Sequence, residues 1–490
     1  MGDKKVKRNI QGILKEDYKK WKNKEYIFTR VEGIYKAKTF GQTIYDVLAL
    51  AEMLLSLGLK NENIAVYGEN SYEWMVADLA IMGYVGTNVA IDKEWDENSV
   101  SNALKRTDVK CLIYSKNKKD IIDKLKTKYD IIYICIQENF PDLFAKGYKV
   151  LEKKEDFFDF DEREDDKMCK IVFSSGTTSL PKASMLTQKS ILCGWDNLYK
   201  RAAMNDTDIC YLFLPLHHTY AGLCNFLFST ISGKQIYLCS DTKKIVEELQ
   251  IIKPTVFCAV PLIYERFSKI ADQTGHDLKS LFGGNIKYMF SGGAYFDENI
   301  RKQYKQAGLN MMEAYALTET SSIFSIQYSN SPNVKSVGTI FENIDVKVIN
   351  PDENGCGELA VKGDNVCLGY YGNEKATREA FDKDGYFHTG DLGYIDKDNE
   401  LYLIGRKKRM IITGNGENVD PEEIEQLILD YSEVNKVKVY EDGGIIKASI
   451  YISGDDDGKT IIENVNKLLP KYKQLREYNV LRDSIDTRLK

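Results

Sequence analysis

Between residues 45 and 260 the apolar residues switch repeatedly between two periods, and no other feature restricts the possible folds of this chain as strongly. Tyr45 to Leu57 sets them at helical spacing, and Asn63 to Tyr67 follows as a short run of buried-strand type. Trp74 to Met82 predicts a helix, and Val109 to Tyr114 and Ile131 to Ile136 predict strands. Ile245 to Ile252 predicts another helix, just ahead of a strand over Thr255 to Val260. Such alternation is the mark of layered α/β structure with largely parallel sheets. Glu152 to Asp166, dense in like charges between apolar regions, is expected to be a surface loop.

The pattern changes near Gly405. Tyr394 to Ile404 predicts a hairpin turning over Asp396 to Asn399. Pro421 to Leu429 predicts a helix, with proline in its first turn and acids near the positive end of its dipole. Val437 to Tyr440 and Ile445 to Ile452 add strands. The expected fold class is therefore α/β, with a large N-terminal domain of layered α/β sheets over residues 1–405 and a small C-terminal α+β domain over 406–490. At 490 residues and 43% hydrophobic content, either part can bury a core.

Charge and cysteine usage remove several function classes. A net charge of −6 from 67 basic and 73 acidic side chains, without a basic block, argues against nucleic acid as the main partner. The 10 cysteines form no Cys-x-x-Cys pair and read as reduced core thiols, which with the lack of a signal-type N-terminus points to a cytoplasmic protein. Ile209 to Ser232 is uncharged and long enough to cross a bilayer, yet it contains Pro215, Gly222, Asn225 and the pair His217-His218. A buried active-site wall, and no membrane span, is the expectation.

Two segments carry chemistry. Ile171-Val-Phe-Ser-Ser-Gly-Thr-Thr-Ser-Leu-Pro-Lys182 starts as a buried strand and breaks into small hydroxyl residues, a glycine and a lysine. Such a loop is either a flexible turn or a cradle offering amides and hydroxyls to phosphate while Lys182 neutralises charge. It lacks the Gly-Lys-Ser/Thr ending of a Walker A loop. The second segment is Met311-Met-Glu-Ala-Tyr-Ala-Leu-Thr-Glu-Thr320.

Together these segments resemble the adenylate-forming superfamily of acyl-CoA synthetases, carrier-loading adenylation domains and luciferases. Tyr386-Phe-His-Thr-Gly-Asp-Leu-Gly393, Gly405-Arg-Lys-Lys-Arg-Met-Ile411 and Asn415-Gly-Glu-Asn-Val-Asp-Pro-Glu-Glu-Ile-Glu425 extend the resemblance in the family's order. Val260-Pro-Leu-Ile-Tyr-Glu-Arg266 and Asn415 to Pro421 look most like long-chain fatty acyl-CoA synthetases. The resemblance implies an ATP- and Mg²⁺-dependent acid-thiol ligase that turns a small-molecule carboxylic acid, fatty or related, into acyl-AMP with release of pyrophosphate. The acyl group then passes to coenzyme A. Two alternatives are loading of the phosphopantetheine arm of an acyl carrier protein acting in trans, and a degenerate nucleotide-binding homologue without activity.

Residue by residue, the resemblance assigns the nucleotide to Ser174, Ser175, Gly176, Thr177, Thr178 and Lys182, with Thr318 on the α-phosphate and Glu319 on Mg²⁺. Tyr315 would stack on adenine, Glu313 would accept from its amine, and Gly293, Ala294 and Ala314 would line it. Asp391 and Arg406 would contact the ribose. His218 would stand beside the substrate carboxylate, and Tyr220, Gly292 and Ala316 would wall the acyl pocket. Lys408 matches the hinge about which the mobile small domain turns, and Gly414 and Gly416 would face the thiol. Where relatives close on a catalytic lysine, this chain offers Arg488 or Lys490. Ser179, Ala183 and Ala316 replace usual glycines, Tyr295 a usual proline and Gln188 a usual histidine, which suggests a specialised acid.

Overall fold

The computed structural model describes residues 9–174, 181–202, 204–407, 409, 411–412, 418–419, 421–442, 445–452, 457–469, 471 and 473–482. They form two compact units, one of residues up to 346 with 361–387 and 398–401, the other of 347–360, 388–397 and 402 onward. Mixed α/β structure fills both.

In the first unit a six-stranded sheet runs in the order Ile132–Cys135, Val109–Tyr114, Asn63–Tyr67, Thr87–Ile91, Met168–Ser174, Lys182–Thr187. Its neighbours are parallel except the last pair, which turn back on each other. The three strands over residues 63–67, 87–91 and 109–114 hold almost nothing exposed, as continuous apolar runs in a parallel sheet require. A nine-stranded sheet has the order Thr339–Ile340, Ile323–Ile326, Met311–Ala316, Tyr288–Ser291, Val256–Ala259, Ile209–Leu212, Gln235–Leu238, Glu25–Val31, Ile34–Thr39. Its centre is parallel and its two ends are antiparallel.

Helices cover these sheets where the apolar period predicts them. Phe40–Ser56 starts at a capping box in which Thr39 accepts from Gln42 N and Gln42 accepts from Thr39 N, so two otherwise orphaned amides are satisfied. Ile245–Ile252 has the predicted bounds. Residues 152–166 are irregular, as their like charges suggest, whereas the N-terminal helix Ile10–Trp21 is an element the sequence reading does not foresee. Gln188 explains part of that: it is fully buried, its Oε1 accepts from Ile10 N at 2.7 Å and its Nε2 donates to Met82 O at 3.0 Å. Its departure from the family's histidine thus has a packing role.

The region 209–232 is not one long helix. It breaks into the strand Ile209–Leu212, a turn, the π-helical stretch Tyr220–Leu227 and a last turn Phe228–Thr230. Among the described residues no helix is long and apolar enough to cross a membrane.

The second unit has its own core, with Ile424, Ile428, Ala448, Ile450 and Val465 fully buried. The strands Val434–Asp442, Ile445–Ile452 and Glu477–Arg482 form a sheet against which the helices Pro421–Leu429 and Lys459–Leu468 pack. The predicted hairpin is present as neighbouring strands Phe387–Ile395 and Leu401–Arg406.

Candidate active site

Open parallel sheets bind ligands beyond the carboxyl ends of their strands, because loops there converge and backbone groups point outward. Ser174 ends its strand, Gly292 and Gly293 follow Ser291, and Thr318 and Glu319 follow Ala316. The candidate residues of the first unit therefore collect on one side of its sheets.

Glu319 is the centre of the phosphate-side cluster. Its Oε1 accepts from Ser174 Oγ at 3.1 Å and from the Tyr370 hydroxyl at 3.0 Å. Lys182 pairs with Ser174 across the hairpin, and its Nζ lies 4.4 Å from the centre of the Tyr370 ring. Tyr370 arrives there because residues 368–371 pair along the free edge of the strand Lys182–Thr187: Tyr371 N donates to Ala183 O at 2.8 Å and Met185 N to Gly369 O at 2.9 Å. Burial, reinforced by the Glu319 charge, holds the Tyr370 phenol protonated, so it serves Glu319 as a donor. Among the described residues Glu319 and Lys182 form no ion pair, which leaves a carboxylate for a cation and a cation for phosphate. Glu319 fits Mg²⁺, since two neutral donors orient a carboxylate whose oxygens suit a hard ion. Arg106 donates to Pro181 O at 2.7 Å and fixes the far end of the loop. Ser175, Gly176, Thr177 and Thr178 lie outside the described residues.

Around the adenine-side candidates, Gly293 has φ +85°, a conformation that glycine adopts without strain. A side chain at Gly292 would come 3.0 Å from Ala314 O, so these two strand ends approach closely. Ala294 and Tyr295 beside them are exposed. Tyr315 is buried, with its ring edge-on to Phe324 at 4.9 Å. Glu313 is buried too, and among the described residues its Oε2 has no hydrogen-bond partner. Loss of water raises its pKa to about 7, partly offset by Arg301 and by Ser291 beside it.

The histidine pair is set by a pinned turn. Asn70 donates to Leu214 O at 2.8 Å and accepts from Leu216 N at 3.0 Å, while Gly222 N donates to His218 O at 2.8 Å. His217 is buried and pushed down to about 2 by loss of water, helped by His218 and nearby lysines, so its 3.4 Å approach to Asp92 is no ion pair at neutral pH. His218 is open to solvent, with a pKa lowered by the protein packed around it and raised by Asp92. Ring and carboxylate atoms of Asp92, His217 and His218 lie within 4.8 Å of one another. Tyr220 donates to Phe290 O at 2.7 Å and lines a cavity together with Ala314; His218, Gly292 and Ala316 are not among its walls.

In the second unit, Asp391 is buried and meets Arg406 Nε at 3.1 Å across the adjacent strands Phe387–Ile395 and Leu401–Arg406. The backbone N–H of Asp391 donates to the Thr389 hydroxyl at 3.0 Å. Lys408, Gly414, Gly416, Arg488 and Lys490 lie outside the described residues. Asp92 and Tyr370 are not among the residues expected from the sequence, and no local pattern around Tyr370 reveals a partner 51 residues away.

This arrangement is that of an adenylate-forming protein. Residues 14–371 match the AMP-binding enzyme family, and the chain belongs to it. It is 26% identical over 465 residues to a long-chain-fatty-acid–CoA ligase of Mycobacterium bovis, covering 84% of this chain and 76% of that one. To 4-coumarate–CoA ligase 1 of Arabidopsis thaliana it is 27% identical over 412 residues, 78% of this chain and 71% of the other. The fold is that of ATP-bound MatB from Rhodopseudomonas palustris, with a TM-score of 0.82, 21% identity and coverage of 97% and 95% of the two chains.

Proposed function

We propose that the protein joins a carboxylic acid to the α-phosphate of ATP and then transfers the acyl group to coenzyme A. A carboxylate oxygen attacks the α-phosphorus, the bond to the β-phosphate breaks, and pyrophosphate leaves with its electron pair. Sulfur of the thiol then attacks the acyl carbon, AMP leaves, and the thiol proton goes to solvent. The observation that carries this reading is the cluster of Ser174, Lys182, Glu319 and Tyr370 at the strand ends. Bringing two anions together is the main barrier, and fixed cations and donors disperse that charge without having to reorganise.

In this reading Lys182, Thr177 and Thr178 hold the outer phosphates and Thr318 the α-phosphate, while Glu319 holds Mg²⁺, which when bound neutralises phosphate charge. Tyr315 stacks on adenine, Gly293, Ala294 and Ala314 line it, Glu313 accepts from the amine, and Asp391 with Arg406 binds the ribose hydroxyls. His218 orients the attacking carboxylate. Arg488 or Lys490 supplies the late cation, Lys408 is the hinge between the adenylation domain (1–405) and the small domain (406–490), and Gly414 and Gly416 face the thiol. The acid is fatty or related, in line with the name of the long-chain-fatty-acid–CoA ligase, whereas the name of 4-coumarate–CoA ligase 1 points to an aromatic acid.

Mass detection of products from ATP, Mg²⁺ and a panel of aliphatic and aromatic acids tests this, with coenzyme A and a phosphopantetheinylated carrier offered separately. Acyl-AMP that is converted to acyl-CoA is the expected result. Conversion on the carrier alone would replace the acceptor, and no adenylate with any acid would remove the reading.

A further inference from the structure

We infer that the acid carries a second carboxylate at its far end and that Lys234 receives it; this rests on the acid-activating reading above. Lys234 closes the cavity that Tyr220 opens. One wall is a single face of the nine-stranded sheet, to which the register pairs Cys210–Val256, Cys258–Phe290 and Ala314–Ile326 contribute. The other is the helical stretch bearing Tyr220, Cys224 and Ser229. The free space between these walls is narrow, about 20 Å³, and is bordered mostly by apolar side chains.

The cavity has a direction. Tyr220 bonds Phe290 O near the carboxyl ends of the strands, where the reacting groups gather. Lys234 immediately precedes the strand Gln235–Leu238, whose first residue pairs with Ile209, so it stands at the amino ends. From Ala259 back to Val256 is three residues, roughly 10 Å of strand. An apolar spacer of that order joins the two ends.

At the closed end the charge is unmatched. Lys234 is 2% exposed, and among the described residues the one hydrogen-bond partner of its ammonium is the thioether sulfur of Met204, at 3.4 Å. Asp208, the carboxylate that acts on it through space, is committed elsewhere: it accepts from Thr255 Oγ1 at 2.9 Å, Lys287 Nζ at 3.2 Å and Asn205 N at 2.9 Å. The other deeply buried lysine shows what the fold does when a cation is purely structural. Lys170 sits 2.6 Å from Asp78, both wholly buried. A second polar atom on the cavity wall, Asn225 Oδ1, is buried and has no partner among the described residues. Burial lowers the Lys234 pKa, and a carboxylate beside it would stabilise the charged form. A pocket built this way rejects acids lacking the distal group, because the lysine is then left desolvated and unpaired.

The test measures acid-dependent ATP–pyrophosphate exchange by the full chain with straight-chain α,ω-dicarboxylic acids of graded length and their length-matched monocarboxylic acids. Wild type should favour the dicarboxylate at the best length by roughly tenfold or more in kcat/KM, and K234M, similar in volume, should invert that preference. Equal or better use of the monocarboxylate by wild type overturns the inference, as does a preference unchanged in K234M. If no acid supports exchange, the activation reading has failed, and calorimetric titration of the same dicarboxylates into wild type and K234M decides the site alone. Binding lost in the variant then upholds Lys234 as the receptor, and no difference overturns it.

Discussion

Glu313 is the residue whose environment most alters its chemistry. Its folded pKa, raised by burial from 4.5 to about 7, means the native state holds this proton more tightly than the unfolded chain does. Stability from this group is therefore complete below about pH 4.5 and is lost as pH rises through about 7. Chemical denaturation of wild type against E313Q should show the loss, up to about 3 kcal/mol, in wild type and a flatter profile in the variant. Tyr370 acts at one remove, as a positioning residue for Glu319. Y370F should lower apparent Mg²⁺ affinity and adenylation about 10- to 100-fold while leaving the ATP-free fold intact, with excess Mg²⁺ restoring part of the rate. A rate loss independent of Mg²⁺ would assign Tyr370 a merely structural part.

Elements with a clean period were legible because their residues answer to local rules. Asn63–Tyr67, Ile245–Ile252 and Pro421–Leu429 agree with their apolar patterns to the residue. What escaped is what pairing across the chain decides: the edge segment bringing Tyr370 to Glu319, and Lys234, which after Gly233 reads as an ordinary solvated turn. The segment before Tyr220 shows how tightly such junctions are built. A side chain at Gly222 would meet Leu216 O at 2.4 Å, so the backbone carrying His217 and His218 would have to move. G222A should lower adenylation kcat/KM by roughly 100-fold with ATP binding retained, measured by exchange kinetics and nucleotide titration. The pair Lys170–Asp78 ties the strand Met168–Ser174 to the helix Tyr72–Ala80, with Asn88 also donating to Asp78. K170M leaves that carboxylate buried without its cation and should cost about 3–5 kcal/mol, read from the denaturant midpoint.

Across the whole molecule the candidate residues divide between two units that fold around separate cores. The first holds the phosphate-side cluster, the adenine-side glycines and the cavity lined by Tyr220 and Lys234; the second holds Asp391 with Arg406. The ordered motifs made the nucleotide chemistry legible, because phosphate and ribose impose the same donors and charges on any such site. Acid choice was not legible, since it depends on side chains facing one cavity from strands and helices far apart in the chain. The most direct test of the account is ATP–pyrophosphate exchange with and without acid, in wild type and E319Q. Exchange that requires the acid, yields AMP rather than ADP chemistry, and falls by at least about 100-fold in E319Q is the predicted result. Exchange without acid, or an E319Q rate equal to wild type, would contradict it.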